Sequence, residues 1–305
     1  MYINTFGQGI VIVSTLPIAL TLLETRSLNN SDRGALPSFD LHVRFNMDFN
    51  WVFSLMPYGS SWRAHRRAFH QFVNQKEAPV YLPIIEQECL SHLRSLSDDA
   101  SKVFETNRMY FGLVLMRISY GSSDFEYNKR LLEDSEAIVE RSSATTIPGS
   151  LLVNVFPVLR FVPDWFPGTA WKKYLQEGAV INRRLVPGPY VLLIQVQINN
   201  QGQEAFPSVV KGLVENLGPE EDNGYAERET VAMNVLAQSY IAGADTTNSA
   251  MCALYAALLM HPEVQRKAQA EIDSVTGGDR LPTPEDTSTN HCVRLSSSNV
   301  TVRHG

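Results

Sequence analysis

The residues with the most evident chemistry are Asp245 and Thr246, in the run Ala242-Gly243-Ala244-Asp245-Thr246-Thr247 at the middle of a long helical pattern. Helix interiors avoid this grouping, because Gly costs about 1 kcal/mol relative to Ala and an interior Asp must be desolvated or paired. Small residues at 242–244 let a flat cofactor approach the backbone. A Thr hydroxyl can donate to the carbonyl one turn earlier and bend the helix, which opens a notch. A diatomic ligand and a water fit such a notch, with Asp245 and Thr246 placed to relay protons. That is an oxygen-activation geometry. The same residues also suit a close helix crossing with the Asp facing solvent.

A second constellation lies far upstream, in Tyr58-Gly59-Ser60-Ser61-Trp62-Arg63-Ala64-His65-Arg66-Arg67-Ala68-Phe69-His70. Ser60 or Ser61 is an expected N-cap, and Trp62 and Arg66, at i and i+4, then share one helical face. An indole N–H beside a guanidinium makes a donor pair for a carboxylate, which Arg can bind through two hydrogen bonds. A haem propionate is such a carboxylate. The alternative is a solvated helix face with a cation–π contact.

The elements that must position these residues are mostly helical. Tyr2 to Thr15 reads as a β-hairpin around Gly7-Gln8-Gly9, and Pro17 sits where a helix can begin. Leu82, Ile85, Cys89, Leu93 and Leu96 recur at helical spacing, with weaker patterns over 101–120, 129–145 and 203–217. Three prolines within 154–168 predict a broken connector, and 186–204 combines a Pro-Gly-Pro turn with a β-like apolar run. The long helix begins near Glu227, breaks at His261-Pro262, and leads into a further helix that stops at Gly277-Gly278. The last residues, 287–305, lose all periodicity.

With 305 residues and 44% hydrophobic content the chain can bury a sizeable core. A net charge of −6 gives no electrostatic footprint for nucleic acid. The three cysteines, Cys89, Cys252 and Cys292, are too scattered for a disulfide framework or a zinc site, so no metal-ligand set is expected. The apolar run at 9–23 falls short of the ~20 residues that span a bilayer, so no membrane helix is expected.

Taken together, the residues resemble the cytochrome P450 haem-thiolate monooxygenases. Trp62-Arg63-Ala64-His65-Arg66-Arg67 is similar to that family's C-helix motif, and Ala242–Thr247 to the oxygen-binding groove of its I helix. His261-Pro262-Glu263 and Leu281-Pro282-Thr283-Pro284-Glu285-Asp286 resemble the segments beyond the I helix in that family. The hairpin, Arg26-Ser27 and Ser31-Asp32-Arg33 resemble the early part of fungal members acting in secondary metabolism. Resemblance runs from about residue 2 to 286. It implies a mainly α fold: a partial P450 domain over 1–286, with a small N-terminal β-hairpin and helices through I and J, then an irregular tail over 287–305.

The resemblance further implies haem as cofactor, with Trp62 and Arg66 on its propionates and Ala242 and Gly243 along its distal face. Asp245 and Thr246 are the implied catalytic pair that delivers protons to oxygen; His65 and Arg67 are left as surface or partner contacts. The implied partners are a small apolar organic substrate and a reductase. Family members lie on the endoplasmic reticulum membrane; for this chain, without an anchor, the expectation is the cytoplasm or an unknown location. The iron ligand of the family is a Cys thiolate in a Gly- and Phe-containing loop after the I helix. None of the three cysteines has that setting, and the bracing Glu-x-x-Arg is absent downstream, since Glu105-Thr106-Asn107-Arg108 comes too early. The expectation is a truncated monooxygenase without activity as this chain, or else a non-catalytic helical remnant that binds a ligand or partner.

Overall fold

Strand β1 (Tyr2–Thr5) and strand β2 (Gln8–Val11) pair antiparallel with Tyr2 opposite Val11 and Thr5 opposite Gln8. That register corrects the expected turn, because Gln8 and Gly9 belong to the second strand and the connection falls on residues 6 and 7. The structure, a computed structural model, describes residues 1–5, 8–32, 48–146, 152–192 and 208–288. The expectations for Arg33, for 193–207 and for 289–305 lie outside these residues.

Helix α1 (Leu16–Leu20) starts on Pro17 as its proline predicts, and continues as a π-turn at Thr21–Thr25. There the Arg26 N–H donates to the Thr21 carbonyl at 2.9 Å, five residues back. The remaining helices are α2 (Ser27–Asn30), α3 (Ser60–Phe72), α4 (Ala78–Asp98), α5 (Val103–Tyr120), α6 (Phe125–Thr146) and α7 (Leu152–Val155). They are followed by α8 (Ala170–Leu185), α9 (187–192), α10 (Val209–Glu215), α11 (Tyr225–Met260) and α12 (Pro262–Thr276). The architecture is mainly helical with a single two-stranded sheet among the described residues. No helix among them is long and apolar enough to cross a membrane.

The chain forms two compact units. One comprises Met1–Asn74, Glu133–Gln203 and Val209–Ser239; the other comprises Gln75–Leu132, Glu204–Ser208 and Tyr240–Gly305. In the first, α10 packs on α3, and Gly212 makes this possible: a Cβ there would overlap the Phe72 ring. In the second, α4 packs on α5, and Ile84 of α4 and Met116 of α5 are fully buried.

Several helices match the sequence pattern and one buried face does not. The residues of α4 that are buried are Tyr81, Ile84 and His92, one position before the apolar stripe that begins at Leu82. The reason is polar chemistry on the inner face. Arg117 of α5, itself buried, pairs with Glu88 and donates to Gln87 Oε1 at 3.0 Å, while His92 stacks on Tyr110. A face that holds Glu, Gln and His is invisible to an apolar count. In helix α8 the buried positions are Leu175, Gly178, Ala179, Asn182 and Leu185, at helical spacing but only partly apolar.

The stretch around 154–168 is broken, as its prolines require, into α7, a 3-10 turn at Pro157–Phe161 and open turns. The β-like reading of 186–204 is corrected at its start, where α9 continues the helical path. The break at His261-Pro262 is as expected, and α12 ends on Gly277 at φ 70°, where its N–H reaches the Asp273 carbonyl at 2.9 Å. Glycine adopts this left-handed conformation without the steric cost of a Cβ.

Candidate functional site

The upstream constellation belongs to the first unit, on α3. Its entry is held by Asp32, whose Oδ1 accepts the Tyr58 N–H at 2.9 Å. The N-cap is Gly59 in an extended conformation, and no side chain caps the helix, so Ser60 and Ser61 lie inside it rather than before it. Trp62 is half-buried and tilts against Tyr58 at 5.2 Å between ring centroids. Arg66 is exposed, its guanidinium carbon 5.9 Å from the Phe69 centroid. One turn apart on one face, they present an indole donor and a charged fork, as carboxylate binding needs.

What fixes that face is a residue expected at the surface. His65 is 3% exposed and stacks on Phe53 at 5.9 Å. Its Nδ1 lies 2.8 Å from the Ser61 carbonyl and its Nε2 3.0 Å from Asn234 Nδ2 on α11. The amide of Asn234 donates, so Nε2 accepts and the proton sits on Nδ1, which donates to Ser61. Burial lowers the pKa of this imidazole, with the Ser61 carbonyl acting weakly the other way. Neutral His65 therefore bolts α3 to the first part of α11. At about 100° per residue, Trp62 then lies about 60° from the buried face and stays half-buried, and Arg66 lies about 100° from it and is exposed. The sequence signal was no more than an i, i+4 spacing with Phe69, and Asn234 carried none.

The run Ala242–Thr247 belongs to the second unit, within α11. Thr246 Oγ1 donates to the Ala242 carbonyl at 2.7 Å, the back-bond its spacing predicts. The run lies within one continuous helix, α11, from Tyr225 to Met260. Ala242, Asp245, Thr246 and Thr247 are exposed, Gly243 is half-buried and Ala244 is buried. Ala242, Asp245 and Thr246 stand at i, i+3 and i+4, so they form one stripe.

The opposite face of this part of α11 is set by α5. A Cβ on Gly243 would come within 2.8 Å of Leu115 Cδ1, so its smallness serves helix packing. One turn beyond Ala244, Asn248 Oδ1 accepts from Asn107 Nδ2 at 2.9 Å, and Tyr255 Oη lies 3.5 Å from Asn107 Oδ1. This polar ladder fixes the rotation of α11 and leaves the Asp245 and Thr246 stripe outside it. It was not foreseen, since Asn107, Asn248 and Tyr255 carry no motif.

Neither described cysteine is built as a metal ligand. Burial pushes the Cys89 thiol up, although Tyr110 hydrogen-bonds it, whereas ligation needs the thiolate. Cys252 points its Sγ to Asn248 Oδ1 at 3.8 Å. Among the described residues no group of three or more His, Cys, Asp or Glu side chains could hold a metal ion.

The last motif is also built as a unit. Asp286 accepts both guanidinium nitrogens of Arg280, at 2.7 and 2.8 Å, and the Thr283 N–H at 2.8 Å. The Arg280 bonds lead in holding its carboxyl well below the ordinary range.

Comparison with known proteins places these features. A sequence model described as Cytochrome P450 matches residues 1–291. The chain is 45% identical over 286 residues to a cytochrome P450 monooxygenase, COX1, of Coprinopsis cinerea, covering 94% of this chain and 55% of that one. It is 33% identical to COX2 of the same fungus and 33% identical to monooxygenase 208 of Postia placenta, each time over 53% of the relative. The chain thus spans about half the length of the curated relatives it matches. A solved zebrafish cytochrome P450, in a structure with abiraterone, shares its fold with a TM-score of 0.65 at 18% identity, over 95% of this chain and 62% of that one. With that match along nearly its whole length, the chain belongs to the cytochrome P450 family.

Proposed function

We propose that this chain carries the propionate-binding and oxygen-handling helices of a monooxygenase that inserts one atom of O₂ into a small apolar organic substrate, with electrons from a reductase. The family implies a haem, a substrate and a redox partner. The observation that carries the proposal is the Thr246 hydroxyl, held on the Ala242 carbonyl at 2.7 Å beside Asp245 on the exposed stripe of α11.

The residues present fit the cofactor. Trp62 and Arg66 offer one neutral and one charged donor from one face of α3, and α3 has a rotation that buried bonds maintain. They would hold the two propionates of the haem, which when bound supplies the iron that activates oxygen. Ala242 presents only a methyl group on the exposed stripe, and Gly243, packed on Leu115, adds only backbone beside it. On α11 the chemistry is proton handling. Thr246 Oγ1 donates to Ala242 and keeps two lone pairs free to accept from water. When the hydroxyl rotates off the carbonyl it gives its proton outward, and Asp245, one residue earlier on the same stripe, returns one through that water.

A second statement belongs to the reading: these 305 residues do not turn over substrate by themselves. It is favoured by the Cys89 thiol, whose pKa burial raises, and by Cys252, engaged with Asn248. Domain 1–286 is then the catalytic contribution.

Two preparations test this. The chain is purified with added haem, reduced and exposed to carbon monoxide; the expected spectrum has no Soret band of the thiolate type, and such a band would sink the second statement. In a chimera, residues 1–286 replace the matching part of the Coprinopsis relative. It is expected to show the thiolate band and to oxidise substrate. A chimera that folds and binds haem yet keeps full coupling of O₂ to product after Thr246→Ala would remove the proton-handling role.

A further inference from the structure

Within the first unit, a cavity of about 280 Å³ lies among α3, α10 with the turn after it, and the first turns of α11; neither Trp62 nor Arg66 lines it. Two alanines of α3, Ala64 and Ala68, make its wall low, and the buried Leu213 and Ala232 give it an apolar floor. Arg67 and Glu227 also line it, both exposed, together with Gln71, Asn216 and an Arg228 already paired to Asp222. Among the described residues neither Arg67 nor Glu227 forms an ion pair, so a cation and an anion border one apolar floor unneutralised.

The cavity is held open by fixed parts. Arg228 donates from Nε to the Leu217 carbonyl at 2.8 Å and pairs with Asp222 at 2.7 Å, which ties the α10–α11 connection to α11. Gly212 sets α10 close against Phe72 of α3. Such pre-formed walls lower the ordering cost of binding. The volume is just below the ~300 Å³ at which pockets for drug-sized ligands begin, so the occupant is small.

We infer that this cavity binds a small apolar α-amino acid, its side chain on the Leu213 and Ala232 floor, its carboxylate on Arg67 and its ammonium on Glu227. Charge complementarity selects the zwitterion. An apolar acid without the amine leaves Glu227 facing another anion, and an amine without the acid leaves Arg67 facing another cation. The site is independent of haem and of the monooxygenase reading.

The test uses the purified chain and L-phenylalanine as probe, with binding followed by ligand-observed saturation-transfer NMR. Saturable binding with a Kd of about 0.1–1 mM is expected for so small a ligand. 3-Phenylpropanoate and phenethylamine should each bind about tenfold more weakly or worse, since each lacks one charge-assisted pair. Arg67→Gln and Glu227→Gln, both at exposed positions, should each weaken phenylalanine binding by a similar factor with an unchanged far-ultraviolet circular dichroism spectrum. No saturable phenylalanine binding up to about 10 mM would overturn the inference. So would 3-phenylpropanoate or phenethylamine binding as tightly as phenylalanine, or either variant binding as the parent does.

Discussion

Thr246 donates its hydroxyl proton to a carbonyl of its own helix, so its removal tests chemistry rather than stability. Thr246→Ala loses an exposed back-bond and gains helix propensity, and unfolding of the chain in urea should shift by less than about 0.5 kcal/mol. His65 is the opposite case. Its replacement by Ala leaves a cavity beside Phe53 and strands the buried amide of Asn234, which should cost about 2–4 kcal/mol in the same measurement. The pH dependence stems from the direction of its shift. Burial lowers the folded-state pKa of His65, and of His92, from 6.5, so the unfolded chain binds more protons below that value. Stability is fully present above pH 6.5 and is lost as the pH falls through the depressed folded values. Urea midpoints should therefore drop between pH 7.5 and pH 5, and His65→Gln should flatten part of that slope. A midpoint independent of pH over this range would mean that neither ring is held neutral.

Helices α4 and α5 depend on a buried ion pair as much as on apolar packing. Arg117 is 9% exposed and serves both Glu88 and Gln87. Arg117→Ala leaves the Glu88 carboxylate without its cation and should destabilise the chain by about 3–5 kcal/mol, whereas Arg117→Met with Glu88→Leu should recover most of the loss. Urea denaturation of the two variants checks this, and equal losses in both would show that packing alone sets the cost. At the α3–α10 contact, Gly212→Ala overlaps the Phe72 ring and should cost about 1–3 kcal/mol. At Gly188, where a Cβ meets nothing within 4 Å, the same change should be close to neutral.

At the scale of the molecule, many large apolar side chains are left outside. Leu16, Ile18 and Leu23 on the first helical segments, Val11 on the hairpin and Phe161 and Trp165 in the broken connector are exposed, Trp165 at 81%. Apolar surface of this extent promotes association. Purified chain should bind a hydrophobic dye and sediment as oligomers, and Leu16→Glu with Leu23→Glu should reduce both without loss of helicity. A monodisperse parent chain with no dye response would contradict this.

Sequence determined the helices and their chemistry where a local rule was enough. Trp62 and Arg66 share a face because they are four residues apart, Thr246 reaches the Ala242 carbonyl for the same reason, and Pro262 and Gly277 bound α12 through fixed backbone preferences. The cysteine arithmetic and the order of the motifs were likewise legible, and the family match agrees with the family they indicated. Tertiary structure alone decided which way each helix turns. The rotation of α3 rests on His65 meeting Asn234, 169 residues away, and that of α11 on Asn248 meeting Asn107, 141 residues away. The buried face of α4 moved by one residue because Glu88 finds Arg117. Each of these is a polar group whose burial is tolerable only when a distant partner satisfies it. Pattern along the chain cannot distinguish such a residue from one that faces water.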